Sequence, residues 1–389
     1  MGLIPKSFLR SKWLEAIGRI ECGQLTFIEP SGERHVVSGP AEGPRATFQI
    51  HDWDVIDRAV ARGDIGLGED YIAGAWETDS IEALISLFLL NMERFEGYAH
   101  GNAWNRIGFV ILNTLLRRNS LRGSRQNIEA HYDVGNSFYS LWLDETMTYS
   151  SALYERDGAR LDEAQRSKYG RILGKLGEQR ASVLEIGCGW GGFADMASQR
   201  DHEVTGITVS PSQHAFATQR LGSRADVRLE DYRHTKGTYD SIVSIEMFEA
   251  VGERYWPQYF QVLSERLKRG GKAVLQVITI RDDLFSGYRT RSDFIRQYVF
   301  PGGMLPSLSG LVREADRAGL KTVDVFGFGQ DYAQTLREWT HRFSAVENQI
   351  RALGHGDAFI RNWKFYFGMC AAAFAVNRTN VVQVELAHA

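Results

Sequence analysis

The stretch Val183-Leu184-Glu185-Ile186-Gly187-Cys188-Gly189-Trp190-Gly191-Gly192 runs an apolar segment into an acidic residue and then into Gly-x-Gly-x-Gly. Glycine at 187 and 189 permits a tight turn and lets a ligand come close to the backbone. The spacing differs from the Gly-x-Gly-x-x-Gly of dinucleotide sites, and no Gly-Lys-Ser/Thr follows as in a P-loop.

Positioning such groups takes a regular scaffold, and the sequence from about Asn127 onward provides one. Short apolar segments alternate with longer helical ones: Ser182–Ile186, Glu203–Thr208, Asp226–Leu229, Tyr239–Ile245 and Lys272–Thr279 read as strands. Helices fit between them, over Gly191–Gln199, Pro211–Leu221 and Arg254–Arg269. This alternation predicts an α/β fold with a mostly parallel sheet and helices on both faces. The first 125 residues differ. They open with an amphipathic segment, Ser7–Ile20, then short strands at Leu25–Ile28, His35–Ser38 and Ala46–Ile50. A helix follows, capped by Ser80 and running to about Phe95. A smaller α+β domain over 1–125 and a catalytic domain over 126–389 are expected.

The 389 residues carry a formal charge of −3, which argues against nucleic acid as the main partner. Cys22, Cys188 and Cys370 are too few and too scattered for a disulfide framework. The apolar runs Ala83–Leu90 and Phe109–Leu112 fall short of the roughly 20 residues that span a bilayer. Met1–Ile4 is interrupted by Pro5 and Lys6, so no secretory signal is expected. The chain reads as cytoplasmic, soluble or peripheral. The charge is unevenly spread: between Gly97 and Ile128 there is no acidic residue, and Arg106, Arg117, Arg118, Arg122 and Arg125 flank the apolar stretch Ile107–Leu116. Basic residues beside an apolar face suit an anionic lipid surface. Aromatic residues reach 12%, enough to line a greasy interior or pocket.

The strand-Glu-x-Gly-x-Gly turn resembles the first motif of class I S-adenosylmethionine (SAM)-dependent methyltransferases, which implies a Rossmann-like domain with a seven-stranded, mostly parallel sheet. Several further stretches resemble the cyclopropane fatty acid synthase family, in order, over about residues 126–389. They are Ala130-His131-Tyr132-Asp133-Val134-Gly135-Asn136, Met147-Thr148-Tyr149-Ser150-Ser151-Ala152 and Met247-Phe248-Glu249-Ala250-Val251-Gly252. Tyr298-Val299-Phe300-Pro301-Gly302-Gly303 and Asp331-Tyr332-Ala333-Gln334-Thr335-Leu336 complete the set. His131 has no second ligand motif, and no metal site is expected.

The resemblance implies methyl transfer from SAM to the cis double bond of an acyl chain in a membrane phospholipid. An alkene is a poor nucleophile, so donor and acceptor must be held together in a dry slot. Aromatic faces stabilise the resulting cation, and a base then removes a proton to close the ring. Carried over to this chain, Tyr149, Ser150, Glu185, Gly187, Gly189, Thr208, Ser210, Gln213, Asp231 and Tyr232 match cofactor positions. No carboxylate follows the second strand to meet the ribose, and Thr208, Ser210 and Gln213 stand there instead. The base of the family's best-known members is a bound bicarbonate. Glu249, Tyr332 and the backbone of Ile278 match its site, and a buried carboxylate beside a tyrosine would form a proton-handling pair. Two positions depart from the pattern: Ser151 replaces a cysteine and Gln276 a histidine. Both stay polar, so cyclopropanation remains the expectation. A misplaced base would instead give a methyl-branched unsaturated chain. The segment from about Arg281 to Ser309, with Phe285, Tyr288, Phe294, Tyr298 and Phe300, is expected to line the acyl slot. Family members commonly form dimers. A soluble methyltransferase acting on a small molecule is the competing reading; it gives the arginine-rich stretch no lipid to meet.

Overall fold

The computed structural model describes residues 6–95, 134–177 and 179–389. The arginine-rich stretch and Ala130 to Asp133, His131 among them, lie outside the described residues. The chain divides into two compact units. The first combines Met1–Leu116 with Thr290–Val299 and Ser344–Asn377; the second holds Arg117–Arg289, Phe300–Phe343 and Arg378–Ala389. The boundary therefore differs from a single division near residue 125. Two later segments, expected within the catalytic region, group with the N-terminal residues. The segment expected to line the acyl slot is divided the same way.

In the first unit, α1 (Lys6–Ile17) precedes β1 (Cys22–Ile28), β2 (Arg34–Ser38) and β3 (Ala41–Ile50). Then come α2 (Asp54–Arg62), α3 (Asp64–Ile72), β4 (Trp76–Glu77) and α4 (Ile81–Leu90). The four strands form one sheet in the order β2-β1-β3-β4. β1 alternates buried and half-buried residues, as a strand with one face on a core must. Ser80 caps α4 by accepting from the Ala83 N–H at 3.1 Å, as its sequence predicts. The core is largely aromatic. Trp13 meets Phe27, Phe48, Phe88 and Phe95 at ring separations between 5.6 and 6.2 Å. A late helix, Asp357–Ala375, packs against α3 and α4. Phe294, expected in an acyl slot, is fully buried in this unit, edge-on to Phe365 at 4.8 Å. Tyr298, also of this unit, is 44% exposed.

The second unit is built on a seven-stranded sheet in the order β10-β11-β9-β8-β5-β6-β7. Its strands are β5 (Ser182–Ile186), β6 (Glu203–Thr208), β7 (Ala225–Leu229), β8 (Tyr239–Ile245), β9 (Leu267–Ile280), β10 (Leu320–Gly327) and β11 (Thr379–His388). β5 through β9 run parallel, and β11 is antiparallel to both β9 and β10. The predicted bounds of β5, β6 and β8 match; β9 is longer than its apolar stretch. Central β5 and β8 are almost wholly buried, as parallel strands covered on both faces are. Helices α5 (Leu161–Leu176), α6 (Gly192–Ser198), α7 (Pro211–Leu221) and α8 (Trp256–Arg266) supply the covering layers. α9 (Asp282–Thr290), α10 (Leu308–Arg317) and α11 (Gly329–Ala345) follow. α7 starts where its sequence predicts, with Ser210 as cap and Pro211 in the first turn. Phe285 and Tyr288 on α9 pack against the hydrophobic core of this unit. After β5 the chain moves to β6 on one side, and later to β8 on the other. Ligands of open α/β sheets bind at such a switch, beyond the carboxyl ends of the strands.

Phe48 tests the first unit's core. It is 1% exposed and touches Trp13, Phe27, Trp76 and Phe88. Phe48→Ala should destabilise the full chain by about 3–5 kcal/mol in denaturant unfolding. A loss below about 1 kcal/mol would contradict this core assignment.

Candidate active site

The turn after β5 has the geometry that its glycines permit. Gly187 sits at φ 83°, and a side chain there would meet Met247 at 2.8 Å. Its N–H and that of Cys188 both donate to the Ile207 carbonyl, at 2.9 and 3.0 Å, tying the turn to the end of β6. At Gly189 a Cβ would meet nothing within 4 Å, so the backbone faces open space. Glu185, the penultimate residue of β5, is buried, and its Oε2 lacks a hydrogen-bond partner. Burial pushes its carboxyl up to about 8. An unpartnered buried acceptor beside an open glycine turn fits a cofactor bearing donors.

Thr208, Ser210 and Gln213 form one buried network at the end of β6. The Thr208 hydroxyl donates to Gln213 Oε1 at 2.9 Å, and Ser210 Oγ accepts from the Gln213 N–H at 3.3 Å. Asp231 follows β7, but its carboxylate is gripped by the Arg233 guanidinium through two bonds of 2.8 Å. Tyr232 is buried and edge-on to Tyr259 at 5.3 Å. Tyr149 lies among rings, with Tyr139 at 5.5 Å, Trp142 at 5.7 Å and Trp339 at 5.2 Å.

The structure revises the proton-handling pair. Tyr332 donates to Glu246 Oε2 at 2.8 Å, rather than to Glu249. Glu246 ends up at the centre of the site. Its Oε1 accepts from the Ser151 N–H at 2.8 Å and from Gln276 Nε2 at 2.7 Å. Ser151 contributes its backbone, while its hydroxyl donates to the Ala152 carbonyl at 3.0 Å. Gln276 is fixed from behind, accepting at Oε1 from Gln383 Nε2 at 3.1 Å. Glu249 accepts from the Ile278 N–H, and its other oxygen is buried without a partner. Burial, and next the charge of Glu246, push the Glu249 carboxyl up to about 8. Thus the donors expected to hold a bicarbonate, Ser151, Gln276 and Tyr332, all meet a carboxylate of this chain.

A second missed residue supports the first. Lys168 on α5 is fully buried and donates to Ser150 Oγ at 2.6 Å. Burial pushes its ammonium down to about 7, against the pull of Glu246, Asp144 and Glu185. Burial also raises the Glu246 carboxyl, and the Lys168 charge limits that rise. Glu246 was detectable in principle: it stands just past the carboxyl end of parallel strand β8, where ligand sites form. Lys168 gave no such signal, because a lysine in a helical pattern reads as solvated.

The family model for mycolic acid cyclopropane synthetase matches residues 119–384. The tuberculostearic acid methyltransferase UfaA1 of Mycobacterium tuberculosis is 35% identical over 362 residues, covering 89% of this chain and 84% of that protein. The cyclopropane-fatty-acyl-phospholipid synthase of Escherichia coli is 33% identical over 344 residues, 87% of each. The crystal structure of mycolic acid cyclopropane synthase CmaA1, complexed with SAH and CTAB, aligns with TM-score 0.63 at 31% identity, covering 67% of this chain and 97% of that one. With its glycine turn, its strand order and its acid-lined site, the chain is a SAM-dependent methyltransferase and belongs to the mycolic acid cyclopropane synthetase family.

Proposed function

We propose that the chain transfers a methyl group from SAM to the cis double bond of an unsaturated fatty acyl chain in a membrane phospholipid, and that a cyclopropane ring closes. The observation that carries this reading is a half-buried pair of carboxylates, Glu246 and Glu249, flanking Met247, which packs close against Gly187 of the glycine turn. Tyr332 bonds Glu246 and lies edge-on to Trp339 at 6.1 Å. When bound, SAM supplies an electrophilic methyl group. Glu185, Gly187 and Gly189 would hold it on one side, and Tyr149, Ser150, Thr208, Ser210 and Gln213 on the other. Asp231, with Arg233, shapes the adenine end beside Tyr232. The rings of Tyr149, Trp339 and Tyr332 exclude water and offer π faces to a developing cation. A methyltransferase acting on a hydroxyl or amine loses its proton from that heteroatom. An alkene acceptor instead leaves a C–H proton to be removed in a dry site, and buried carboxylates suit that task. The names of the two relatives, a tuberculostearic acid methyltransferase and a cyclopropane-fatty-acyl-phospholipid synthase, agree with a fatty acyl acceptor.

A second product is favoured by one observation. Ser151 and Gln276 replace the usual cysteine and histidine, and both now bear on Glu246. A base placed differently would take a proton from another carbon and leave a methyl-branched unsaturated chain.

Vesicles carrying cis-monounsaturated chains, incubated with SAM and the protein, should yield acyl esters heavier by one methylene unit. Mass spectrometry before and after hydrogenation separates a ring from a branch; an unchanged lipid pool would overturn the reading. We also propose that the arginine-rich stretch 97–128 meets anionic headgroups. Sedimentation with anionic vesicles should then weaken as salt rises, and salt-independent binding would argue against it. The pH profile gives a third check. A carboxylate accepts a proton only when ionised, so turnover should rise with pH through its pKa. Burial raises Glu246 and Glu249, Glu246 raises Glu249 further, and Lys168 moderates Glu246. The acid limb of kcat should therefore lie above the ordinary glutamate value of about 4.3. A limb at about 4 would remove both carboxylates from the proton step.

A further inference from the structure

We infer that the Glu246 carboxylate is a built-in replacement for an external anion, and that it is the base which takes the proton from the methylated acyl chain. The inference rests on the proposed alkene methylation, and its binding arm stands apart from that reading.

Three donors converge on Glu246: the Ser151 N–H, the Gln276 amide and the Tyr332 hydroxyl, all between 2.7 and 2.8 Å. They come from three separated places, namely the loop before α5, strand β9 and helix α11. A set this dispersed is a preorganised oxyanion site, and its occupant is a side chain of the chain itself. An ionised carboxylate offers about four lone-pair positions, so three donors leave room for a proton. The buried Lys168 ammonium supports the negative charge, and the neighbouring Glu249 opposes it.

The backbone gives an independent sign. Glu246 lies at φ 49°, in the left-handed region. That conformation costs a non-glycine residue about 1–2 kcal/mol, and glycine nothing comparable. A strained glutamate at a site that glycine would fill without strain points to work for its carboxylate. Ordinary packing would not require it.

The step balances within the chain. The C–S bond of the methyl donor breaks as the new C–C bond forms on one alkene carbon, leaving a cation at the other. The C–H bond of the new methyl group then breaks. Its electron pair closes the second C–C bond, and its proton goes to Glu246. Loss of the proton from a neighbouring carbon would instead form a C=C bond, with the same acceptor.

The experiment compares the wild-type chain, Glu246→Gln and Glu246→Gly in carbonate-free buffer and with added bicarbonate. Wild-type turnover on monounsaturated vesicles should not change with bicarbonate. Glu246→Gln should lose about 10²–10⁴-fold in kcat, with SAM affinity within about threefold by titration calorimetry. Glu246→Gly, relieved of strain and with its donors freed, should bind bicarbonate by carbon-13 NMR, and the wild type should not. A wild-type rate that collapses without bicarbonate would overturn the inference. So would full activity in Glu246→Gln, or bicarbonate binding to the wild type or to neither protein. If no lipid is methylated by any variant, the functional reading fails, and the NMR comparison still decides who occupies the anion site.

Discussion

A carboxylate withdrawn from water is tolerable only when donors or a cation replace its hydration. The second unit places Glu185 near the carboxyl end of β5 and Glu246 and Glu249 just past β8, and much of the surrounding structure answers that demand. Lys168 reaches in from α5, with its ammonium on Ser150. Gln165, one turn earlier, donates to the Ser150 carbonyl at 2.9 Å. The Ser151 N–H closes on Glu246. The short loop Tyr149-Ser150-Ser151 is thereby pinned from two sides, and Tyr149 is fixed among its aromatic neighbours. Removing Lys168 would leave like charges facing each other without a counter-ion. Lys168 draws on both Glu185 and Glu246, and the Glu246 charge opposes ionisation of Glu249.

The aromatic residues divide between two tasks. In the first unit they are structural: Trp13, Phe27, Phe48 and Trp76 interlock edge to face, as rings in cores prefer. In the second unit a group around Tyr149 and Trp339 borders the acid site. A high aromatic content therefore does not by itself measure a substrate slot.

Much of the catalytic scaffold was legible in the sequence. Strand–helix alternation and the glycine turn foretold the parallel sheet, because period and turn chemistry are local properties. The bounds of β5, β6, β8 and α7 needed nothing else. Three things were not local. Segments 290–299 and 344–377 group with the first unit, a long-range packing outcome that no local pattern encodes. Tyr332 bonds Glu246 rather than Glu249, with only two residues between them, and the left-handed backbone at Glu246 follows no local sequence pattern. Lys168 was hidden, because a lysine is buried only where distant carboxylates compensate it. Asp231 was legible by position, while its engagement by Arg233 depended on a two-residue turn.

The left-handed conformation at Glu246 has a consequence for how such enzymes diverge. Glycine and glutamate codons differ by a single base in the second position, GGA or GGG against GAA or GAG. A backbone already shaped for glycine accepts the exchange without rebuilding the strand, the turn or the three donors. With Glu246 acting as proposed, one point mutation would open or fill the anion site that its three donors form.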